Sequence, residues 1–507
     1  MESEMHRLAG GITVISAIIL LTVKRLYFHP LSRHNGPLLW AISRLPYMLA
    51  FRSGQLAHRI KQFHEIYGDT VRVAPNEVSF IDPSCVQDIY KKRPSPQFKS
   101  LPKDPIRQPP PIPGQPVSIL DAGDADHARI RKAYAPAFSS QALHAQEPLV
   151  VSYVDKMIAQ LKARATTASP PDAIDLQKWF SYCTFDIICA LSFGEDFACL
   201  DNDRYHEWLG ALVYSLKAKV QLAACRFYPW LFKLLLMTMP KSAQTSMANH
   251  QATTREKVQK RRNASSSSQL TSRPDFLSYL DKSTKQLSED EIIVNAATLI
   301  VAGSHTLQTA ITGITYQLLQ NPRVLEKVTT EVRSAFAGGG EHMDARALAK
   351  LPLLNAAIKE GIRLTSPVPL GLTRRVPSGG AIICDMHFPE GWAANVSRRN
   401  YTEPMAFVLE RWLEPTIGVD EGARFRNDRT EATQPFLQGP RDCLGQNLAK
   451  MEILLLLAHL LYNFDMSLPL GEAGTLEKWE DQETYAVWVK SPLLVRLTPI
   501  RFKVEHD

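Results

Sequence analysis

Apolar residues recur three and four apart through most of this chain and alternate two apart only in short runs. The longer period predicts helices over Asp126–Phe138, Gln146–Ala163, Leu176–Leu191, Tyr205–Met239, Glu289–Gln320, Arg323–Phe336, Leu353–Leu364 and Leu444–Phe464. The shorter period predicts strands at Val71–Val73, Val78–Ile81, Ala381–Cys384 and Leu493–Leu497. Prolines crowd the tract Pro102–Pro116, which can be neither helix nor central strand and reads as an extended loop. The run Arg255–Ser268 is a basic helix end passing into a Ser-rich, solvated linker. No internal repeat is present. The pattern is that of one large domain, mainly α with a minor β portion.

One stretch breaks the amphipathic rule. Leu8–Val23 carries no charge, and Leu26, Tyr27 and Phe28 extend it to roughly the 20 residues that cross a bilayer. A small-residue cleavage site does not follow it, so an uncleaved anchor over residues 1–28 is expected rather than a signal peptide. Glu2 and Glu4 precede the stretch, while Lys24, Arg25, Arg33 and Arg44 follow it. That bias places residues 29–507 on the cytosolic side, in a eukaryote at the endoplasmic reticulum.

Composition and charge narrow the partners. Hydrophobic residues make up 45% of the 507 positions, enough for a large core, and the net charge is +7. Spread over such a length this charge is not the dense basic stripe of a nucleic-acid binder, and no nucleic acid is expected. The seven cysteines, Cys85, Cys183, Cys189, Cys199, Cys225, Cys384 and Cys443, are odd in number and contain no C-x-x-C pair. This argues against a disulfide framework and against zinc, and six of them read as small buried hydrophobes in a reducing compartment.

Cys443 is different. It stands in Pro435-Phe436-Leu437-Gln438-Gly439-Pro440-Arg441-Asp442-Cys443-Leu444-Gly445, directly before a helix. A helix N-terminus offers free N–H groups and the positive end of a dipole, which favour a thiolate, the form that ligates metal. Gly439 and Gly445 permit close backbone approach to a flat cofactor, and Arg441 can pair with an anionic group such as a haem propionate. The alternative for a lone cysteine is burial, but here F-x-x-G-x-R-x-C-x-G is matched at every fixed position, through Phe436, Gly439, Arg441, Cys443 and Gly445.

The segment resembles the haem-binding signature of the cytochrome P450 superfamily. Other elements share the resemblance, which runs from about Tyr27 to the C-terminus. Glu360 and Arg363 are similar to the family's E-x-x-R helix, and with Arg411 of the FVLERW run they imply its buried charge network, a structural role. Ala302-Gly303-Ser304-His305-Thr306 is similar to the oxygen-activating motif, in which small Ala302 and Gly303 leave room for a planar ligand and Thr306 supplies a hydroxyl. His127 and Arg131, four apart on one helix face, and Arg374 before Val376-Pro377 resemble the propionate partners. The resemblance implies the P450 fold, haem b with Cys443 as axial ligand of the iron, an NADPH-cytochrome P450 reductase as electron donor and a lipophilic substrate. The run HARIRKAYAPAFSSQALHAQEPLVVSYVD is similar to fungal secondary-metabolism members such as the trichothecene-pathway hydroxylases, which implies hydroxylation or epoxidation of a terpenoid or polyketide.

Two departures qualify what the resemblance implies. The family usually has an acid where this chain has His305; a histidine titrating near neutrality could relay protons instead, or stand by while Thr306 and water do the work. Between Pro389-Glu390-Gly391 and Pro404 the chain is also shorter than the family pattern by about ten residues. Two alternatives to a monooxygenase therefore stand beside it: a haem-thiolate isomerase or dehydratase, and a degenerate haem-binding member.

Overall fold

The computed structural model describes residues 2–91, 100–111, 113–167, 173–205, 217–238, 241–265, 275–282, 287–337, 343–390, 393–396, 400–413, 420–469 and 478–500. Helix α1 spans Glu2–Val23, and with the π-turn Lys24–Phe28 it forms a solvent-exposed apolar helix long enough to cross a membrane. Strands β1 (Thr70–Ala74) and β2 (Glu77–Phe80) lead into α2 (Pro83–Tyr90), which Asp82 caps by accepting from the Ser84 N–H. Helices α3 (Asp124–Tyr134), α4 (Ser140–Thr167) and α5 (Leu176–Phe193) follow. Nearly every side chain of α5 is buried, as expected of a helix that is apolar on all sides.

Helix α6 (Glu289–Gln320) crosses the core and packs on α5 and on α7 (Pro352–Leu364). Its 32 residues extend about 48 Å. A capping box starts it: Ser288 accepts from the Glu291 N–H while Glu291 reaches back to the Ser288 N–H. Strands β3 (Arg374–Arg375), β4 (Ala381–Ile383), β5 (Met386–Phe388) and β6 (Ala393–Val396) come next. Helix α8 (Gln446–Asn463), with Ile453 to Leu457 all enclosed, carries the C-terminal side of the core.

The four-stranded sheet has the order β1, β2, β6, β3. β2 pairs antiparallel with β1 and parallel with β6, and β6 pairs antiparallel with β3. The strand of the shortened region is thus retained, with Val78 opposite Ala394, while residues 391–392 and 397–399 of that region lie outside the described residues.

Two expectations need correction. The helix expected over Tyr205–Met239 is broken: a helical stretch ends at Cys225, residues 226–228 turn, and a new helix starts with Pro229, whose ring cannot continue the first. Residues 206–216 and Met239 of that span lie outside the described residues. Of the six cysteines expected to be unpaired, Cys183, Cys189, Cys199 and Cys225 are buried and form no disulfide, but Cys85 and Cys384 are joined, with their Cα atoms 5.3 Å apart. Positions 299 apart in sequence meet only through the packing of α2 on the β4–β5 hairpin.

A cluster of buried charges holds the C-terminal loops. Glu360 on α7, fully enclosed, accepts from Arg363 at 2.7 and 2.8 Å, from Arg411 at 3.1 Å, from the Trp412 indole at 2.8 Å and from the Val408 N–H at 3.0 Å. Arg411 also pairs with Asp428, and Arg363 donates to the carbonyls of Pro404 and Ala406 at 2.7 and 3.0 Å. Asp428 and Trp412 complete a cluster that sequence spacing left at three members. Removing one member of such a cluster leaves a buried charge without its partner, so Glu360→Ala is expected to lower stability by about 3–5 kcal/mol in denaturant unfolding. A loss below about 1 kcal/mol, the range of exposed pairs, would show that the cluster is solvated.

Candidate active site

The loop before α8 is shaped by its own backbone. The Cys443 N–H donates to the Phe436 carbonyl at 2.9 Å and the Asp442 N–H to the Gly439 carbonyl at 3.1 Å, which folds the loop back on itself. Gly439 has φ +85° and lies so close to α2 that a Cβ there would meet the Tyr90 carbonyl oxygen at 2.2 Å. At Gly445 the surroundings are open, the nearest atom to such a Cβ being a Phe138 ring carbon at 3.7 Å. Phe436 is partly buried under the Lys450 ammonium, 5.6 Å from the ring centre.

Cys443 is exposed on one face of this loop. Protein packed around the sulfur pushes its thiol up, and the Gly445 N–H and Arg131 only partly offset this. Helix α8 begins at Gln446, and Gly445 at its N-cap donates its N–H to the Cys443 sulfur, as expected of a cysteine at a helix start; a bound metal deprotonates a coordinating thiol.

Cations gather around the loop. Arg441 donates to Asp124 at 2.7 Å and to the Ala122 carbonyl at 2.9 Å, and Arg131 donates to the Asp442 carboxylate at 2.5 Å and its carbonyl at 2.7 Å. His127, Arg131 and Arg441 line a recess of about 270 Å³. Burial, with Arg441, Arg131 and Lys103 nearby, pushes His127 down to about 4. Lys103 was not foreseen, since nothing distinguishes a lysine in a Pro-rich loop; burial and the neighbouring Arg441 and Arg374 bring it down to about 8. Arg374 is 1% exposed, its guanidinium 5.2 Å from the Tyr90 ring centre, and its Nε and Nη1 have no partner among the described residues.

These features fit haem. An accessible soft sulfur, a loop without bulk over the sulfur, and converging cations with orphaned guanidinium nitrogens match a flat, doubly anionic iron cofactor.

On α6 the motif residues separate by face. Ala302 is exposed, and the Thr306 hydroxyl next to it donates to the Ala302 carbonyl at 2.6 Å. Gly303 also serves packing: a Cβ there would lie 2.8 Å from Ile188 Cδ1, so its smallness lets α5 lie close on α6. His305 is 6% exposed, with Nε2 unpartnered among the described residues. Burial first and Lys490 second push its ring down to about 4, so it does not titrate near neutrality as expected. Asn295, also unforeseen, anchors the loop from the Pro-rich tract: its carbonyl accepts from the Ile119 N–H at 2.7 Å and its amide donates to the Val117 carbonyl at 3.1 Å. A polar residue within an apolar helix was the available signal.

Comparison with known proteins agrees with this geometry. The family model for cytochrome P450 matches residues 35–492. The chain is 38% identical to the cytochrome P450 monooxygenase efuB of Hormonema carpetanum over 94% of each chain. It is 38% identical to the trichothecene C-4 hydroxylase of Trichoderma arundinaceum over 96% of this chain and 95% of that one. It is 36% identical to the averantin hydroxylase of Dothistroma septosporum over 97% and 92%.

The depressed His305 sets a pH dependence. Its folded value of about 4 lies below the ordinary 6.5, so between these the unfolded chain binds more protons and stability falls as pH drops from about 6.5 to about 4. The full effect is about 3 kcal/mol, and His305→Gln should remove that share of the slope in unfolding measured across this window. An unchanged slope in the variant would place the ring in contact with water.

Proposed function

The chain belongs to the cytochrome P450 family, and on that footing we propose that it is a haem-dependent monooxygenase that hydroxylates or epoxidises a lipophilic secondary metabolite of terpenoid or polyketide type. The observation that carries this reading is Cys443, accessible on a glycine-shaped loop beside Arg131 and Arg441, with Lys103, His127 and Arg374 gathered near Arg441. The named activities of the trichothecene C-4 and averantin hydroxylases support the substrate class. Electrons come from an NADPH-cytochrome P450 reductase.

When bound, haem b would supply the iron for dioxygen activation, with Cys443 as its soft, electron-rich ligand. Cys443 provides the soft anionic ligand, and the Gly445 N–H bonded to its sulfur tempers the donor and fixes its direction. Arg374 and Arg441 would hold the propionates, and His127, beside Arg441 in the recess, could offer a hydrogen bond. Thr306 keeps its proton on the Ala302 carbonyl and can turn that hydroxyl into the open space beside Ala302. His305 is enclosed and uncharged, so proton delivery falls to Thr306 and water. A hydroxyl placed there supports an oxygenase over an isomerase or dehydratase, and the retained strand β6 supports an intact enzyme over a degenerate one.

Residues 29–507 form the catalytic domain, and residues 1–28 anchor it in the endoplasmic reticulum membrane on the cytosolic side. Arg25 donates to the Ile42 carbonyl, and Arg72 donates to the Arg25 carbonyl at 2.9 Å, so the end of the anchor is tied to the domain. The helix Pro229–Met237, with Trp230 and Met237 67% and 83% exposed, offers a second apolar contact.

Two experiments test this reading. Cys443→Ala and Cys443→Ser should abolish the red-shifted absorption band of the reduced carbon monoxide complex and all NADPH-driven turnover with reductase. A variant that kept the band would exclude Cys443 as the ligand. Deleting residues 1–28 should release much of the protein from membranes with that band intact; a truncated protein that stays wholly bound would move the main contact to Pro229–Met237.

A further inference from the structure

The joined cysteines Cys85 and Cys384 have no part in the chemistry above, yet they sit at the far end of the helix that supports it. Cys85 is fully enclosed on α2, and Cys384 is partly exposed at the tip of the β4–β5 hairpin. Their Cα separation of 5.3 Å lies within the range that a disulfide spans without backbone movement. The hairpin turn is Cys384-Asp385, and both residues are left-handed, at φ 48° and 58°. Such a turn favours Asn-Gly, so other residues persist there only when outside contacts hold them. The contacts come from α2: Asp88 accepts from the Cys384 N–H at 2.8 Å, and the Ser84 hydroxyl lies 3.4 Å from the Cys384 sulfur.

From Cys85 the helix rises about 7.5 Å to its last residue, Tyr90. Its carbonyl abuts Gly439 of the Cys443 loop, its ring faces the Arg374 guanidinium, and its hydroxyl donates to the Leu372 carbonyl at 2.7 Å. One short helix thus carries the sulfur pair at its start and props both the ligand loop and a buried cation at its end.

We propose that Cys85 and Cys384 form a reversible redox latch that sets how firmly α2 supports the Cys443 loop, and so how tightly the bound cofactor is retained. The proposal rests on the haem reading only for what the loop holds. The chemistry is ordinary thiol–disulfide exchange. A small-molecule thiolate attacks the accessible sulfur of Cys384, forming a mixed disulfide and releasing Cys85, which takes up a proton. A second thiol then frees Cys384 and leaves as the oxidised small-molecule disulfide, so two electrons pass from two thiols to the protein. The reverse exchange closes the latch. In a reducing compartment such a pair is open until the thiol pool oxidises, which is how intracellular disulfides commonly act. Closure across 299 positions restrains a large part of the chain.

The test uses the full-length, haem-loaded protein equilibrated with oxidised or reduced glutathione, quenched by alkylation and mapped by mass spectrometry without reduction. The expected result is a Cys85–Cys384 linked peptide in the oxidised sample, and glutathione on Cys384 rather than Cys85 in the intermediate. Haem transfer to apomyoglobin should be several-fold slower from the oxidised protein. Cys384→Gly suits the left-handed turn and removes the sulfur, and it should transfer haem at the fast rate in both conditions. Independent labelling of the two cysteines after oxidation, or equal transfer rates in both redox states, would overturn the latch. If the chain bound no haem, the linked peptide would still decide the pairing, so the two readings fail separately.

Discussion

Gly439 passes beneath the Tyr90 carbonyl at a distance that no side chain could share, and the position of Cys443 follows from that contact. The loop can close, with Cys443 donating to Phe436, only because its middle is pressed flat against the end of α2. Three segments far apart in sequence converge there: α2, the strand bearing Arg374, and the Cys443 loop. Close packing of this kind transmits displacement, since interiors have no slack to absorb it. The hairpin that grips the start of α2 is therefore coupled to the loop at its end.

Electrostatics adds a second constraint. Lys103, His127 and Arg374 are all shifted down, by burial first and by cationic neighbours after it. Placing so many positive groups together is unfavourable unless anions face them. Asp124 and Asp442 meet that need for Arg441 and Arg131 and orient both side chains beside the recess. Asp124 has a further role, because it stands in the first turn of α3, where a carboxylate also stabilises the helix dipole. Among the described residues Arg374 has the Tyr90 ring but no ion pair, which makes it the cation best suited to an incoming anion. The Glu360 cluster solves the same problem with no vacancy, and its part is to hold the loops between Pro404 and Trp412.

Much of this protein was legible in the sequence. The 3.6-residue period placed Glu289–Gln320 at its observed limits and most other helices to within a few residues, since periodicity records which face a helix buries. The spacing of Phe436, Gly439, Arg441, Cys443 and Gly445 located the loop because tight turns and a soft ligand need particular residue types a few positions apart. Tertiary structure decided whatever depends on distance through space. The depressed titration of His305 turned on how much protein surrounds it, which no local pattern encodes. Gly303 also took on a packing role because Ile188, over a hundred residues earlier, lies against it. Cys85 and Cys384 looked like unpaired core residues, and became a pair because α2 packs directly on a two-residue hairpin turn, with the two Cα atoms 5.3 Å apart.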